Sequence, residues 1–183
     1  MRLHIFTEGI DDTKFFKNFI EACLKQYSKF QYFEYSEMPD IEVENAIRTA
    51  NEQNIDYIFV ADFDFRDKNL KNIEDKISEI KFKWSILDEK NIFIVLNEIE
   101  SWYLAGYSDK FCSGKTHLNK EIMIKTCIDT QVITKEFFKH ASTKSHRNLI
   151  NYLIRKKSNF DFTEARNRNK SFQRFHDKYC NTK

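Results

Sequence analysis

Over the N-terminal part of the chain, short apolar runs alternate with stretches whose apolar residues recur at helical spacing, the pattern of a parallel sheet covered by helices. Leu3-His4-Ile5-Phe6 predicts a first strand, broken at Gly9. Asp11 or Asp12 then caps a helix whose stripe is Phe15, Phe16, Phe19, Ile20, Cys23, Leu24 and Tyr27. Phe30 to Tyr35 suits a second strand, and after Pro39 and Asp40 the residues Ile41, Ala46, Ile47 and Ala50 mark a second helical face. Tyr57-Ile58-Phe59-Val60-Ala61 reads as a buried strand. Leu70, Ile73, Ile77, Ile80 and Trp84 line one side of a charged helix, and Ile92-Phe93-Ile94-Val95-Leu96 supplies a fourth strand. The expected core is therefore a four-stranded, mainly parallel α/β sheet with helices on both faces. Strand signals fade beyond Gly106, where Leu149, Tyr152, Leu153 and Ile154, and then Phe172, Phe175 and Tyr179, have the spacing of short helices. Residues 1–106 are expected to form the α/β core and 107–183 a mostly helical extension packed on it.

Composition supports a folded chain: 18 Phe and 8 Tyr among 183 residues bring large buried areas. No apolar run approaches the length of a spanning helix and the N-terminus shows no signal-peptide core, so the expected compartment is the cytoplasm. Cys23, Cys112, Cys127 and Cys180 are widely spaced without a CxxC pair, which excludes an ordinary structural zinc site and favours free thiols.

The formal net charge of +2 hides an asymmetry. Residues 1–106 hold 13 Lys+Arg against 21 Asp+Glu, and residues 107–183 hold 17 against 7. An acidic site in the first part and a phosphate-meeting basic surface in the second would produce this split, as would two parts that neutralise each other.

Acids follow three of the four expected strands: Glu8 after the first, Asp62 and Asp64 after the third, Glu98 and Glu100 after the fourth. Ligands of open parallel sheets bind at the carboxyl ends of the strands beside the switch in strand order, so an order such as 2-1-3-4 would bring these groups together. Crowded carboxylates need a cation to remain ionised, and a hard oxygen set without His or Cys favours Mg²⁺ or Mn²⁺. Singly, each acid is also explained by helix capping or loop chemistry.

Thr7-Glu8-Gly9-Ile10-Asp11-Asp12 and Val60-Ala61-Asp62-Phe63-Asp64 resemble the two hallmark motifs of the TOPRIM domain of topoisomerases, primases, recombination proteins and OLD-family nucleases. Asn97-Glu98-Ile99-Glu100-Ser101-Trp102-Tyr103-Leu104-Ala105 resembles a Glu-x-Trp-x-Leu signature of small stand-alone TOPRIM-like proteins, and Lys170-Ser171-Phe172-Gln173-Arg174-Phe175 resembles their C-terminal ending. The resemblance implies a Rossmann-like fold, with Glu8 as acid or base, Asp62 and Asp64 as metal ligands, and Glu100 completing the metal site. Glu98 is a further candidate ligand, and Asp12 matches the family's acid after Glu-Gly. A chain this short lacks the modules of a topoisomerase or primase, which leaves metal-dependent phosphodiester hydrolysis of DNA or RNA, in the setting of bacterial anti-phage defence. The alternative is a non-catalytic or ATPase-regulated subunit. A phosphatase built on the DxD pair would leave Glu8 and Glu100 unexplained. In the nuclease reading the polyanion is held by three basic clusters: Lys144, His146 and Arg147; Arg155, Lys156 and Lys157; and Arg166, Arg168, Lys170 and Arg174. For Phe172 and Phe175, ordinary packing is favoured over base stacking.

Overall fold

The computed structural model describes residues 1–63, 72–108, 110–111 and 146–180. Strands β1 (Arg2–Thr7), β2 (Lys29–Glu34), β3 (Asp56–Phe63) and β4 (Ile92–Leu96) form one parallel sheet in the order β2-β1-β3-β4. That is the 2-1-3-4 arrangement the order of elements predicts. The chain leaves β1 for β2 on one side and then returns to β3 on the other, so the switch point lies between the carboxyl ends of β1 and β3. Leu3 to Thr7 of β1 are buried at every position, as are Tyr57 to Ala61 of β3, because both faces of a central parallel strand are covered.

In register, Phe6 of β1 faces Phe33 of β2 on one side and Phe59 of β3 on the other. Their rings stack at 4.7 and 5.8 Å, and Tyr35 continues the row by stacking on Phe59 at 4.6 Å. A fully buried Phe contributes about 1.5–3 kcal/mol. An exposed pair such as Arg48–Glu44 contributes at most about 1 kcal/mol. The row of rings, not the surface charge, therefore dominates the stability of this layer.

Helix α1 (Ile10–Phe15) starts at Gly9, whose N–H donates to Asp12 Oδ2 at 3.2 Å. Beneath it the hydroxyls of Thr7 and Thr13 meet at 2.7 Å. The helix then widens over Phe16–Ile20, where the Glu21 N–H reaches the Phe16 carbonyl at 3.0 Å, and the chain turns before Tyr27. The helix is thus shorter than its apolar stripe. Helix α2 (Asp40–Glu52) closes with Asn54 at φ 51° and the Ile55 N–H on the Ala50 carbonyl, a left-handed stop that Asn tolerates. Helix α3 (Ile73–Lys83) is capped by the Asn72 side chain, which accepts the Asp75 N–H at 2.8 Å.

The chain divides into two compact units, Met1–Val95 and Leu96–Lys183, so residues 96–106 group with the C-terminal part. In the second unit lie α4 (Glu100–Ala105), α5 (His146–Arg155), α6 (Phe162–Arg168) and α7 (Lys170–Tyr179). Trp102 of α4 is fully buried against Phe172 and Phe175 of α7 at 5.3 and 5.4 Å, so these two phenylalanines are packing residues. A side chain on Gly106 would enter the Phe160 ring, since a Cβ built there lies 2.5 Å from it. Among the described residues no helix is long and apolar enough to cross a membrane.

Cys23 and Cys180 are each disulfide-bonded, which corrects the expectation of free thiols at these two positions. Disulfides follow proximity in space, which wide spacing along the chain neither reveals nor excludes.

Candidate active site

Glu8 follows β1 directly and Asp62 is the penultimate residue of β3, so the two acids stand at the two strand ends that flank the switch point. The chain after β2 is drawn to the same place: the Ser36 N–H donates to the Glu8 carbonyl at 3.2 Å, which seats Tyr35 and Ser36 beside Glu8. The Tyr35 phenol registers what surrounds it. Burial pushes its pKa well above the ordinary value of 10, and the charges of Glu8, Asp62, Asp12 and Glu79, in that order, push it further. The charges of four carboxylates, one just after β1 and the others on β3, α1 and α3, thus act on one hydroxyl, and that hydroxyl keeps its proton at neutral pH.

Beside Glu8 and Glu79 opens a cleft of about 500 Å³. Tyr35, Trp84, Ile80 and Ala61 contribute apolar surface to it, and Glu8, Glu79, Asp40, Lys76 and Lys83 contribute charge. Lys83 bonds Asp40 at 2.7 Å and lies 4.4 Å from the centre of the Trp84 ring, while Lys76 bonds Glu79 at 3.0 Å. Tyr35, Phe59 and Trp84 form a closed set of ring contacts at 4.6, 5.3 and 5.6 Å, so the aromatic wall is fixed in advance.

Of the predicted acids, Glu8 and Asp62 stand at the neighbouring ends of β1 and β3 in the first unit. Asp64 lies outside the described residues, as does Lys144, and so does the side chain of Arg147. Asp12 is 3% exposed and serves as the reciprocal cap of α1. Glu98 and Glu100 belong to the second unit, where Glu98 accepts the Ser101 N–H through its carbonyl and Glu100 opens α4 fully buried. Among the described residues no group of three His, Cys, Asp or Glu stands close enough to hold a metal ion.

The two C-terminal signature segments interlock. The Trp102 Nε1–H donates to Ser171 Oγ at 2.8 Å, the Ser171 hydroxyl donates to Asn169 Oδ1 at 2.8 Å, and Asn169 Nδ2 donates to Ser101 Oγ at 3.1 Å. Asn169 Oδ1 also accepts the Phe172 N–H at 2.9 Å and so caps α7. All four side chains in this chain of bonds are fully buried. The network fixes α4, and with it the backbone from which Glu100 projects. Asn169 is absent from the sequence-derived set of candidates, although an Asn directly before a helical stripe is a cap signal.

The basic residues divide into two kinds. Arg155 is exposed at the end of α5 and Lys156 and Lys157 just after it, and Lys170 and Arg174 are exposed on α7. Arg166 is bonded to Asp177 at 2.7 Å, and Arg168 to Glu164 at 3.1 Å and to the Tyr107 carbonyl at 2.7 Å, so these two guanidinium groups tie the second unit together.

The fold and this crevice define an open parallel α/β protein with acids at its switch point. Comparison with protein-family models, with characterised proteins and with solved structures gives no match to the chain.

Proposed function

We propose that the chain is a metal-dependent phosphodiesterase acting on DNA or RNA, of the kind its TOPRIM-like motifs imply. The observation that supports this reading is that Glu8 and Asp62 stand at the neighbouring ends of β1 and β3, beside the switch point, where the charge of each raises the pKa of the Tyr35 phenol. Their oxygen donors suit Mg²⁺ or Mn²⁺, and the resemblance adds Asp64, Glu98 and Glu100 as ligands. When bound, such a cation supplies charge neutralisation at the scissile phosphate and acidifies bound water. Glu8 is the candidate to take or return a proton at the attacking or leaving oxygen. Tyr35, protonated at neutral pH, can donate its O–H toward a phosphate oxygen beside it. The exposed cations Arg155, Lys156, Lys157, Lys170 and Arg174 are the candidates for positioning phosphates without reading sequence.

The test is cleavage of labelled single-stranded and duplex DNA and RNA by the purified chain, with Mg²⁺, with Mn²⁺ and with chelator. Cleavage that needs the cation and disappears in Glu8→Gln and in Asp62→Asn is the expected result. Binding without cleavage under every condition would remove the catalytic reading and leave the ATPase-regulated one.

A further inference from the structure

Every exposed residue of α7 is polar: Lys170, Gln173, Arg174, Asp177 and Lys178. Ser171, Phe172 and Phe175 are buried on the opposite side, the two rings against Trp102. The three cations recur at i, i+4 and i+8, so they stand in one row with about 6 Å of rise between successive members. Asp177 is the only acid on this helix, and Arg166 of α6 bonds it at 2.7 Å, which neutralises its charge beside the row. Lys178 Nζ lies 4.9 Å from the centre of the Tyr179 ring, and burial lowers its pKa, so part of its hydration is already lost. The helix is tied at both ends. Asn169 caps its start from the buried network, and Cys180 at its close is disulfide-bonded. A row of charges on such a fixed element loses little freedom when it meets an anion.

A membrane surface does not fit this face, because a helix that lies on lipid presents apolar side chains beside its cations. Among the described residues the large exposed apolar side chains, Met1, Ile10, Ile41 and Phe82, all belong to the first unit. A regular row of cations fits a polyanion, and the rise between them is comparable to the distance between successive phosphates of one strand. We infer that Lys170, Arg174 and Lys178 grip three consecutive phosphates of one nucleic-acid strand, whether that strand is paired or unpaired. This assignment rests on the phosphodiesterase reading and adds the element that carries the substrate backbone. Of the polyanions, a phosphodiester is the one that a cation held by Glu8 and Asp62 would also engage. Contacts of this kind carry no sequence information, since every step along the backbone offers the same charge.

The experiment counts phosphate contacts through the dependence of affinity on salt. Fluorescent single-stranded and duplex oligonucleotides are titrated by anisotropy in Ca²⁺ over a range of KCl, with the parent chain and with Lys170, Arg174 and Lys178 together replaced by Ala. Glu8 and Asp62 are left intact. Loss of three contacts is expected to reduce the slope of log K against log salt by about 2 on the single strand and about 2.7 on the duplex. Replacement of the same three residues by Gln, which removes the charges and keeps long polar stems, gives the same reading where the Ala variant does not fold. An unchanged slope in the folded variant would overturn the inference and leave the phosphodiesterase reading standing, with the strand held by Arg155, Lys156 and Lys157. Binding of poly-glutamate as tight as that of the oligonucleotides, with the same loss in the variant, would make the row a general polyanion surface and overturn it as well. Failure of the parent chain to bind any oligonucleotide would remove the phosphodiesterase reading and the inference together.

Discussion

Replacing Asn169 with Ala removes more than a helix cap. Asn169 Oδ1 accepts the Phe172 N–H and the Ser171 hydroxyl, and Nδ2 donates to Ser101 Oγ, all in fully buried surroundings. Loss of an Asn cap costs about 1 kcal/mol. The two serines then each lose a buried partner, at about 1 kcal/mol or more apiece, giving a total near 3 kcal/mol. Asp161 is the natural control, because it caps α6 by accepting the Thr163 and Glu164 N–H groups while exposed to solvent. Asp161→Ala should cost only the cap, about 1 kcal/mol. The two tryptophans report one unit each, Trp84 the first and Trp102 the second, so urea unfolding followed by fluorescence in a Trp84→Phe background isolates the relevant transition. A destabilisation of Asn169→Ala about threefold that of Asp161→Ala is expected. Equal losses would mean instead that the buried bonds contribute nothing beyond the cap.

His4 is 4% exposed on β1 against the Phe33 ring, and its pKa is lowered by burial and secondarily by Arg2. Above the ordinary value of 6.5 neither folded nor unfolded His4 carries charge. As pH falls below 6.5 the unfolded state takes up the proton first, so stability is lost toward the lower folded pKa, at up to about 1.4 kcal/mol per pH unit. Urea midpoints at pH 7.5 and 5 should therefore separate less in His4→Leu than in the parent, and an unchanged separation would contradict this. Replacing Arg155, Lys156 and Lys157 together with Ala should weaken nucleic-acid binding about equally for all sequences and flatten its dependence on salt. An unaltered salt slope would make this exposed cluster a solvated surface only.

The strand order was legible because each buried run, such as Tyr57 to Ala61, is bounded by breakers and followed by a helical stripe, and few connections satisfy the right-handed crossover. The acids at strand ends were legible for the same reason: Glu8 is placed by the strand it follows and Asp62 by the strand whose end it occupies. The widening after Phe15 was not, since Phe16, Phe19 and Ile20 fit an ordinary helix equally well and only the Glu21-to-Phe16 bond distinguishes the two. Nor was the aromatic cleft. Tyr35 and Trp84 each have an ordinary explanation on their own element, and the cavity exists only where the ends of β1, β2 and β3 meet α3. The split among the basic residues was partly readable: Glu164 and Arg168 stand at the i,i+4 spacing of a helical ion pair, whereas Arg166 and Asp177 meet only through the packing of α6 on α7.

Titration with Mn²⁺ followed by electron paramagnetic resonance tests whether Glu8 and Asp62 share one cation site at the switch point. Saturable loss of the free-ion signal is expected with the parent chain, competed by Mg²⁺, and a Kd weakened by tenfold or more in both Glu8→Gln and Asp62→Asn with the thermal transition of each variant retained. Equal Mn²⁺ binding by the parent and both variants would contradict it.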